Sequence, residues 1–325
     1  MDVELLPGLT GQTRRLWEQL LLRSGLKADT CSDSTALIWE SGSLIAAGSR
    51  LGNLLKCIAV DSAYRGQDLT ATLLTQLRRD ALQAGYTHLF LYTKPENLQQ
   101  FSSLFFYPIA ATDDVLLMEN RPDGISSFLD TLPPAVSGIN GAIVMNANPF
   151  TLGHRYLIET AARECGRLYV FVLSEDRSLF SASDRMEMVR LGTSDLPNVT
   201  VLPTGPYLIS SATFPTYFLK ENASPSDVQC RLDTAIFTKH YAPRLSITRR
   251  YVGTEPHCPV TKSYNRVMAQ LLPAAGITFI EVPRLEMQNA PISASSVRQL
   301  LTQHKDIRFL VPDSTYQYLL SHHFL

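Results

Sequence analysis

The chain has 325 residues, a formal net charge of −1 and 45% hydrophobic residues, which is enough apolar material for two packed domains. Near-neutral charge, with no long run of one sign, argues against a nucleic-acid surface. The sequence lacks an apolar run of the roughly 18 residues that span a bilayer, and it begins without a signal-peptide pattern. The five cysteines are scattered, without a C-x-x-C pair. We therefore expect a cytoplasmic protein without a nucleic-acid or membrane partner.

The first part of the chain predicts a mixed sheet with helices. Ser41-Gly42 is a hairpin turn signal between two short apolar runs, and Gly85 is typical of a helix C-terminus. The predicted elements are strands at 36–40, 44–49, 54–60, 88–93 and 115–119, with helices at 69–84 and 97–104.

A domain boundary is predicted where proline and glycine cluster, at 121–124 and 132–134, around a short helix at 125–130. The predicted organisation is a first domain over 1–124, a linker over 125–137 and a second domain over 138–325.

After this boundary, short apolar runs alternate with helical segments. Continuous apolar strands separated by helices indicate a parallel sheet covered on both faces, which binds ligands beyond the carboxyl ends of its strands. The fold class is therefore α/β, a mixed-sheet domain followed by a Rossmann-like parallel-sheet domain. The predicted elements are strands at 141–145, 168–173, 199–202, 251–253 and 278–282, with helices at 153–164 and 183–191.

The turn after the strand at 141–145 opens a helix and suits a phosphate, because the first N–H groups of a helix have no partner within it. Gly153 permits close approach of the backbone, and His154 lies on the first helical turn. Thr151 caps the helix or donates a hydrogen bond to an oxyanion. Helix capping and phosphate binding are equally good interpretations of this segment alone.

A second polar segment, at 292–298, starts another helix after the last strand. Ser293 or Ser295 can cap it. Arg298 on the first turn opposes the helix dipole unless an anion is present, and a nucleotide phosphate would be that anion. The combination favours phosphate chemistry.

Together the two segments resemble the nucleotidyltransferase superfamily, whose motifs H/T-x-G-H and I-S-x-S-x-x-R stand here as Thr151-Leu152-Gly153-His154 and Ile292-Ser293-Ala294-Ser295-Ser296-Val297-Arg298. The resemblance implies that His154 contacts the α and β phosphates, while Ser293, Ser295 and Arg298 hold the departing phosphates. The implied catalytic residues are His154, Thr151 and Arg298, and the implied nucleotide-binding residues are Asn146, Asn148, Phe150, Gly153, Gly253, Glu255, Ser293 and Ser295.

The segments 146–154, 205–215 and 252–256 more specifically resemble the citrate lyase ligase family. That resemblance implies an enzyme that uses ATP and acetate to acetylate the thiol of the prosthetic group on the acyl carrier subunit of citrate lyase, with release of AMP and pyrophosphate. Mg²⁺ is expected with the ATP, held largely by the phosphates.

The first domain is similar to the GNAT acetyltransferase fold, because 57–70 matches the loop that cradles an acyl-CoA pyrophosphate. Arg65 fits the family form Q/R-x-x-G-x-G/A, whereas Asp68 and Thr70 replace its later small residues. The charge of Asp68 argues against ordinary acetyl-CoA binding. A plain scaffold is the simpler interpretation, and docking of the carrier protein or its phosphopantetheine-like arm is the alternative.

Several single residues stay open between two interpretations. Glu255 contacts ribose or adenine, or is a solvated loop carboxylate; Lys262 reaches a phosphate, or is an ordinary surface lysine. Asp184-x-x-Glu187 indicates a helix start rather than a catalytic pair. The pairs His257-Cys258 and His322-His323 lack the spacing and further ligands of a metal site.

Two other functions compete with the ligase. A plain nucleotidyltransferase acting on a phosphopantetheine-type molecule shares His154 and Arg298 but leaves the first domain unexplained. A sensor of CoA or nucleotide that has lost catalysis would explain Asp68 and Thr70 but not the two intact motifs.

Overall fold

A computed structural model describes residues 2–176, 178–208, 214–219, 224–255, 259–287 and 290–325. The chain divides into two compact units, one of Met1–Ile125 with Phe214–Val228, the other of Ser126–Thr213 with Gln229–Leu325. The segment Phe214–Val228 therefore belongs with the first unit, although it lies inside the range 138–325 that the sequence analysis assigned to the second domain.

The first unit contains a mixed sheet, as predicted. Within residues 2–125, all of which are described, seven strands follow the order β1-β2-β3-β4-β5-β7-β6, and all neighbours are antiparallel except β4 and β5. The strands are β1 (Asp2–Leu6), β2 (Ser34–Glu40), β3 (Ser43–Leu51), β4 (Leu54–Val60), β5 (Phe90–Thr93), β6 (Tyr107–Ala111) and β7 (Leu116–Glu119), and the helices are α1 (Gly11–Arg23), α2 (Leu69–Gln83) and α3 (Leu98–Ser102).

Helix α2 packs directly on strand β3, and this contact builds the core of the first unit. Leu73 and Leu77 face the sheet at helical spacing and are fully buried. A Cβ at Gly48 of β3 would lie 3.0 Å from Cδ1 of Leu77, so the missing side chain lets the helix approach. Burying two such leucines stabilises the unit by about 3–6 kcal/mol.

Strands β4 and β5 diverge soon after they meet. They pair only at Leu54 with Phe90 and at Leu55 with Leu91. Beyond these pairs the hydroxyl of Tyr217 donates a hydrogen bond to the carbonyl of Tyr92. A cavity of about 650 Å³ lies alongside. Its lining includes Arg65, Gly66, Asp68, Thr70 and Tyr217.

The second unit contains the predicted parallel sheet. Within the described part of the chain it has five strands in the order β10-β9-β8-β11-β12, and every pair is parallel. The strands are β8 (Asn140–Met145), β9 (Arg167–Val172), β10 (Val199–Pro203), β11 (Ile247–Gly253) and β12 (Thr278–Val282), followed by a hairpin of β13 (Glu286–Met287) and β14 (Ala290–Pro291). The remaining helices are α4 (Gly124–Asp130), α5 (Leu152–Arg163), α6 (Ala182–Gly192), α7 (Pro225–Ile236), α8 (Ala242–Leu245), α9 (Pro259–Leu271), α10 (Ala294–Thr302) and α11 (Asp313–Ser321).

The order of the parallel strands reverses at β8, because β9 and β10 lie on one side of it and β11 and β12 on the other. Such a reversal opens a crevice at the carboxyl end of the central strands. Gly141 makes room within β8, since a Cβ there would lie 2.5 Å from the Cys165 sulfur. The α/β fold class, a mixed sheet followed by a parallel sheet, is thus confirmed. Among the described residues, no helix is both long and apolar enough to span a bilayer.

Candidate active site

A cavity of about 620 Å³ lies in the second unit where β8 ends, and it brings the two polar segments together. The start of α5 contributes Gly153 and His154, and the start of α10 contributes Ser293 and Ser295. A Cβ at Gly153 would lie 3.0 Å from the carbonyl oxygen of Ile292. The glycine therefore permits the close approach of the two helix N-termini, whose dipoles favour an anion.

Thr151 and His154 form a reciprocal cap at the start of α5. The hydroxyl oxygen of Thr151 accepts a hydrogen bond from the backbone N–H of His154, at 3.3 Å. In return Nδ1 of His154 accepts from the backbone N–H of Thr151, at 3.1 Å, and lies 2.9 Å from its hydroxyl. Because Nδ1 is an acceptor, the proton of the neutral ring is on Nε2. Thr151 thus caps the helix, and the same cap orients the histidine, while a hydrogen bond from Thr151 to an oxyanion stays a prediction.

His154 is neutral at physiological pH. Burial, together with the positive charge of Arg284, lowers the pKa of its imidazole to about 4. The ring of Phe150 stacks on that of His154 with 5.9 Å between centroids and 13° between planes. His154 is therefore a fixed, uncharged donor that faces the cavity through Nε2.

Phe150 and Asn148 lie behind the loop rather than in the cavity. Phe150 is fully buried, and a Cβ at Gly192 of α6 would lie 2.4 Å from its ring. Asn148 is also buried, and its side-chain oxygen accepts a hydrogen bond from the backbone N–H of Phe180, at 3.2 Å. Neither residue is among those that line the cavity, and both pack against the loop before α5, so their expected contact with the nucleotide stays a prediction.

Asn146 does face the cavity, and a buried arginine holds it. Nη1 of Arg185 donates to the side-chain oxygen of Asn146, at 2.6 Å, and to its carbonyl, at 3.0 Å. The same guanidinium donates to the carbonyls of Leu173 and Phe180. Neither sequence motif includes Arg185, so it was not among the predicted site residues. It lies three and four residues before Met188 and Val189, on the same buried face of α6. A charged residue on an otherwise apolar helix face was the signal in the sequence.

The second segment is tied to the first through Arg298. Its Nη1 donates to the carbonyl of Asn148, at 2.6 Å, and its Nη2 donates to the hydroxyl of Ser295, at 3.1 Å. Ser293 caps α10 by accepting from the backbone N–H of Ser296, at 3.1 Å. Ser293 and Ser295 line the cavity, while the Arg298 side chain lies at its edge, outside the lining.

Glu255 and Arg284 form an ion pair on the β11 side of the cavity. The carboxylate of Glu255 is only 6% exposed, so it is not a solvated loop group. Arg284 also donates through Nε to the carbonyl of Thr254, at 2.6 Å. The carbonyl of Gly253 accepts from Asn265, at 3.0 Å. Arg284 was another residue that the sequence analysis missed, because it belongs to neither motif.

The remaining polar candidates have structural contacts. Asp184 takes part in a capping box with Ser181 and accepts from the hydroxyl of Tyr318, at 2.8 Å, so it marks a helix start. Lys262 lines a side recess next to Glu255.

Residues 209–213 and 256–258, which include His257 and Cys258, lie outside the described residues. Among the described residues, no three His, Cys, Asp or Glu side chains converge on a point that could hold a metal.

The family model for the citrate lyase ligase C-terminal domain matches residues 140–319, which include both motif segments. Two partial similarities accompany it. A phosphopantetheine adenylyltransferase of Symbiobacterium thermophilum is 40% identical over 67 residues, 20% of this chain and 41% of that one. The structure of an acyl-CoA N-acyltransferase from Pseudomonas aeruginosa aligns over 37% of this chain and 99% of that chain, with 17% identity and a TM-score of 0.32.

The similarity to whole ligases is much more extensive. A [citrate [pro-3S]-lyase] ligase of Klebsiella pneumoniae is 44% identical over 286 residues, covering 85% of this chain and 84% of that protein. The corresponding ligase of Escherichia coli is 41% identical over 311 residues, covering 93% of this chain and 88% of that protein. The chain therefore belongs to the citrate lyase ligase family.

Proposed function

We propose that this protein activates acetate with ATP and transfers the acetyl group to the thiol of the prosthetic group on the acyl carrier subunit of citrate lyase. Family membership over most of the chain supports the reaction class. The cavity supports the nucleotide step, because two helix N-termini and a neutral histidine line it.

The single observation that carries the nucleotide step is the orientation of His154. Thr151 occupies Nδ1 with two donors, so Nε2–H is directed to the ligand side. The hydrogen bond from a neutral N–H donor strengthens as negative charge develops on the α phosphate in the transition state. Such a donor forms no ion pair with the phosphate in the ground state. Thr151 acts through His154 and is a positioning residue.

The start of α10 suits the leaving pyrophosphate. Ser293 and Ser295 line the cavity there, and Arg298 has N–H groups beyond the two that the protein uses. Glu255 and Gly253, at the end of β11, are assigned to the nucleoside, with Arg284 holding the carboxylate of Glu255 in place.

Mg²⁺ would screen the triphosphate charge. Of the two carboxylates among the described residues that line the cavity, Glu255 is paired with Arg284 and Asp233 accepts from Tyr264. The side-chain oxygen of Asn146 accepts from Arg185. The chain therefore fits a metal held mainly by phosphate oxygens and water.

The reaction has two steps. A carboxylate oxygen of acetate forms a bond to the α phosphorus while the bond to the β-phosphate oxygen breaks, which gives acetyl-adenylate and pyrophosphate. The carrier thiol then gives up its proton and bonds to the acyl carbon, and the bond to AMP breaks. Because the first step redistributes charge over phosphate oxygens, alignment and hydrogen bonding are the main tasks of the protein.

The first unit is assigned to the acyl carrier or its prosthetic arm. Tyr217 fills part of the opening between β4 and β5, and Asp68 adds negative charge to the lining of the neighbouring cavity. Both features disfavour a separate acetyl-CoA site. Arg65→Ala should therefore leave acid activation unchanged and weaken transfer to the carrier. Loss of acid activation in this variant would show that the two units do not divide the work in this way.

The decisive experiment is ATP–pyrophosphate exchange with a panel of short acids. We expect exchange that depends on acetate, followed by acetylation of the reduced carrier. If no acid supports exchange but a phosphopantetheine acceptor is adenylylated, the alternative nucleotidyltransferase function is correct. Tight ATP binding without either reaction would identify a sensor.

Variants of His154 test the assignment of residues. His154→Ala should abolish exchange without unfolding, and His154→Gln, which retains an N–H donor near the position of Nε2, should recover part of it. His322→Ala, at an exposed imidazole on the far end of α11, is the matched control. Near-normal exchange in His154→Ala would falsify the role of this residue.

A further inference from the structure

Arg250 is a buried cation that forms no ion pair with any described residue. It lies in the middle of β11 with 8% of its surface exposed, and it lines the same cavity as His154. Its Nη1 has no hydrogen-bond partner among the described residues. The ring of Phe237 lies against the guanidinium, 4.7 Å from its central carbon. Burial of a charge without an anionic partner is costly, so such a residue needs a reason.

Within the described residues this charge is balanced only in part, by an electrostatic attraction to Asp233 that falls short of an ion pair. Burial lowers the pKa of Arg250 only to about 10, so the guanidinium is positive at neutral pH. Asp233 lies in the same cavity wall, but burial raises the pKa of its carboxyl to about 7, and no ion pair joins the two side chains. Asp233 instead accepts hydrogen bonds from the hydroxyl of Tyr264 and, at 3.4 Å, from Gln229.

Apolar side chains line much of the cavity that this cation faces: Leu208, Phe237, Met268 and Leu272. Polar groups line it as well, among them Thr234, Gln229, Asp233 and Tyr264. A guanidinium facing an apolar wall suits a small ligand that has an anionic head and a short hydrocarbon body. A triphosphate would instead need many polar contacts, and the helix starts with His154, Ser293 and Ser295 offer them.

We propose that Arg250 binds the carboxylate of the acid that is activated, with the acid's short chain against Phe237. This inference rests on the proposed function and adds the acid site to it. The carboxylate keeps its charge until the bond to the α phosphorus forms, so Arg250 holds the substrate mainly before reaction. Its removal therefore raises the KM for the acid more than it lowers kcat.

The test compares Arg250→Met and Arg250→Lys in the full-length protein by acetate-dependent ATP–pyrophosphate exchange. Arg250→Met should raise the KM for acetate about 10- to 100-fold, as expected for loss of a charged hydrogen bond, with the KM for ATP within about twofold of the parent. Arg250→Lys should be intermediate. The control is Arg249→Met, one residue away, because Arg249 donates to Glu164 on the other side of the strand. An unchanged KM for acetate, or a rise in the KM for ATP instead, overturns the proposal.

Acetate binding without ATP separates this inference from the proposed function. Saturation-transfer NMR of the acetate methyl group should detect binding to the parent and to Arg249→Met, but not to Arg250→Met. That pattern in a protein without exchange would refute the ligase and retain the carboxylate site. Equal signals from all three proteins refute the site.

A size variant keeps the test decisive if Arg250→Met is unstable. Phe237→Leu makes space beside the guanidinium while keeping an apolar side chain. It should raise the ratio of kcat/KM for butyrate to that for acetate by about tenfold, since each buried methylene contributes about 0.8 kcal/mol. An unchanged ratio contradicts the placement of the acid's chain against Phe237.

Discussion

Acidification should weaken the second unit through His154 specifically. In the unfolded chain this imidazole has the ordinary pKa of 6.5, whereas burial and Arg284 lower the pKa in the folded protein to about 4. Above pH 6.5 both states are neutral and the residue contributes no pH dependence. Between pH 6.5 and 4 the unfolded state binds a proton that the folded state does not, so the free energy of unfolding decreases as the pH falls.

The magnitude follows from the two pKa values. The full difference between them lowers the free energy of unfolding by up to about 3 kcal/mol at low pH. At pH 5 the loss of unfolding free energy is about 2 kcal/mol. Protonation also places a second proton on Nδ1, which faces the backbone N–H of Thr151 at 3.1 Å. In the folded protein this proton binds only near the lowered pKa of about 4, so the hydrogen bond from the Thr151 N–H to Nδ1 is lost only there.

The assay is denaturant unfolding at pH 7 and pH 5 for the parent and for His154→Gln, which has no titrating ring. The parent should lose about 2 kcal/mol more than the variant on this change of pH. Circular dichroism reports both units, whereas Trp17 and Trp39 both lie in the first unit, so their fluorescence is an internal control. Nitrogen NMR of His154 should show the Nε2–H tautomer down to about pH 5.

Equal losses in the parent and in His154→Gln would refute the reasoning, because they would mean that the ring titrates alike in both states. An Nδ1–H tautomer at neutral pH would refute it independently, since the backbone N–H of Thr151 would then face another donor.

Two further predictions concern the support of the loop. Gly192→Ala should destabilise the protein by about 1–3 kcal/mol and lower exchange, because its Cβ would lie 2.4 Å from the ring of Phe150; Gly166→Ala, with 3.6 Å to its nearest neighbour, is the control for calorimetry and exchange. Arg185→Met should lower exchange about 10- to 100-fold, because the side chain of Asn146, which Arg185 holds at the cavity, is released. The exposed Arg190→Met on the same helix should retain full exchange, and equal activity of the two arginine variants would exclude the positioning role.

Local patterns were sufficient to predict most of the sheet strands. The apolar runs at 54–60 and 278–282 agree with β4 and β12, and the helix at 69–84 agrees with α2 within one residue. These segments have one clear period and ordinary end signals, so packing and local preference agree. Strand β6 was missed because Pro108 argues against a strand, and the structure tolerates it at the edge of the sheet.

The candidate site residues that lie at helix starts were predictable from the sequence. Those that are placed by the packing of distant elements were not. The segments around His154 and Ser293 are contiguous in sequence and were found. Arg185 and Arg250 occupy buried positions. A periodic sequence pattern predicts apolar residues at such positions, so it gives charged ones no role. Strand β11 shows the same limit. It was predicted only from residue 251, because two charged residues precede that point, although the strand begins at Ile247.

The placement of Tyr217 against Tyr92 has a consequence for how the chain folds during synthesis. The two residues are 125 positions apart, and β8, β9 and β10 all leave the ribosome between them. The first unit thus reaches its final form only after much of the second unit's sheet has been made, with a late closure that costs loop entropy. A chain released before Tyr217 would keep β4 and β5 open at their divergence, with edges exposed to other strands.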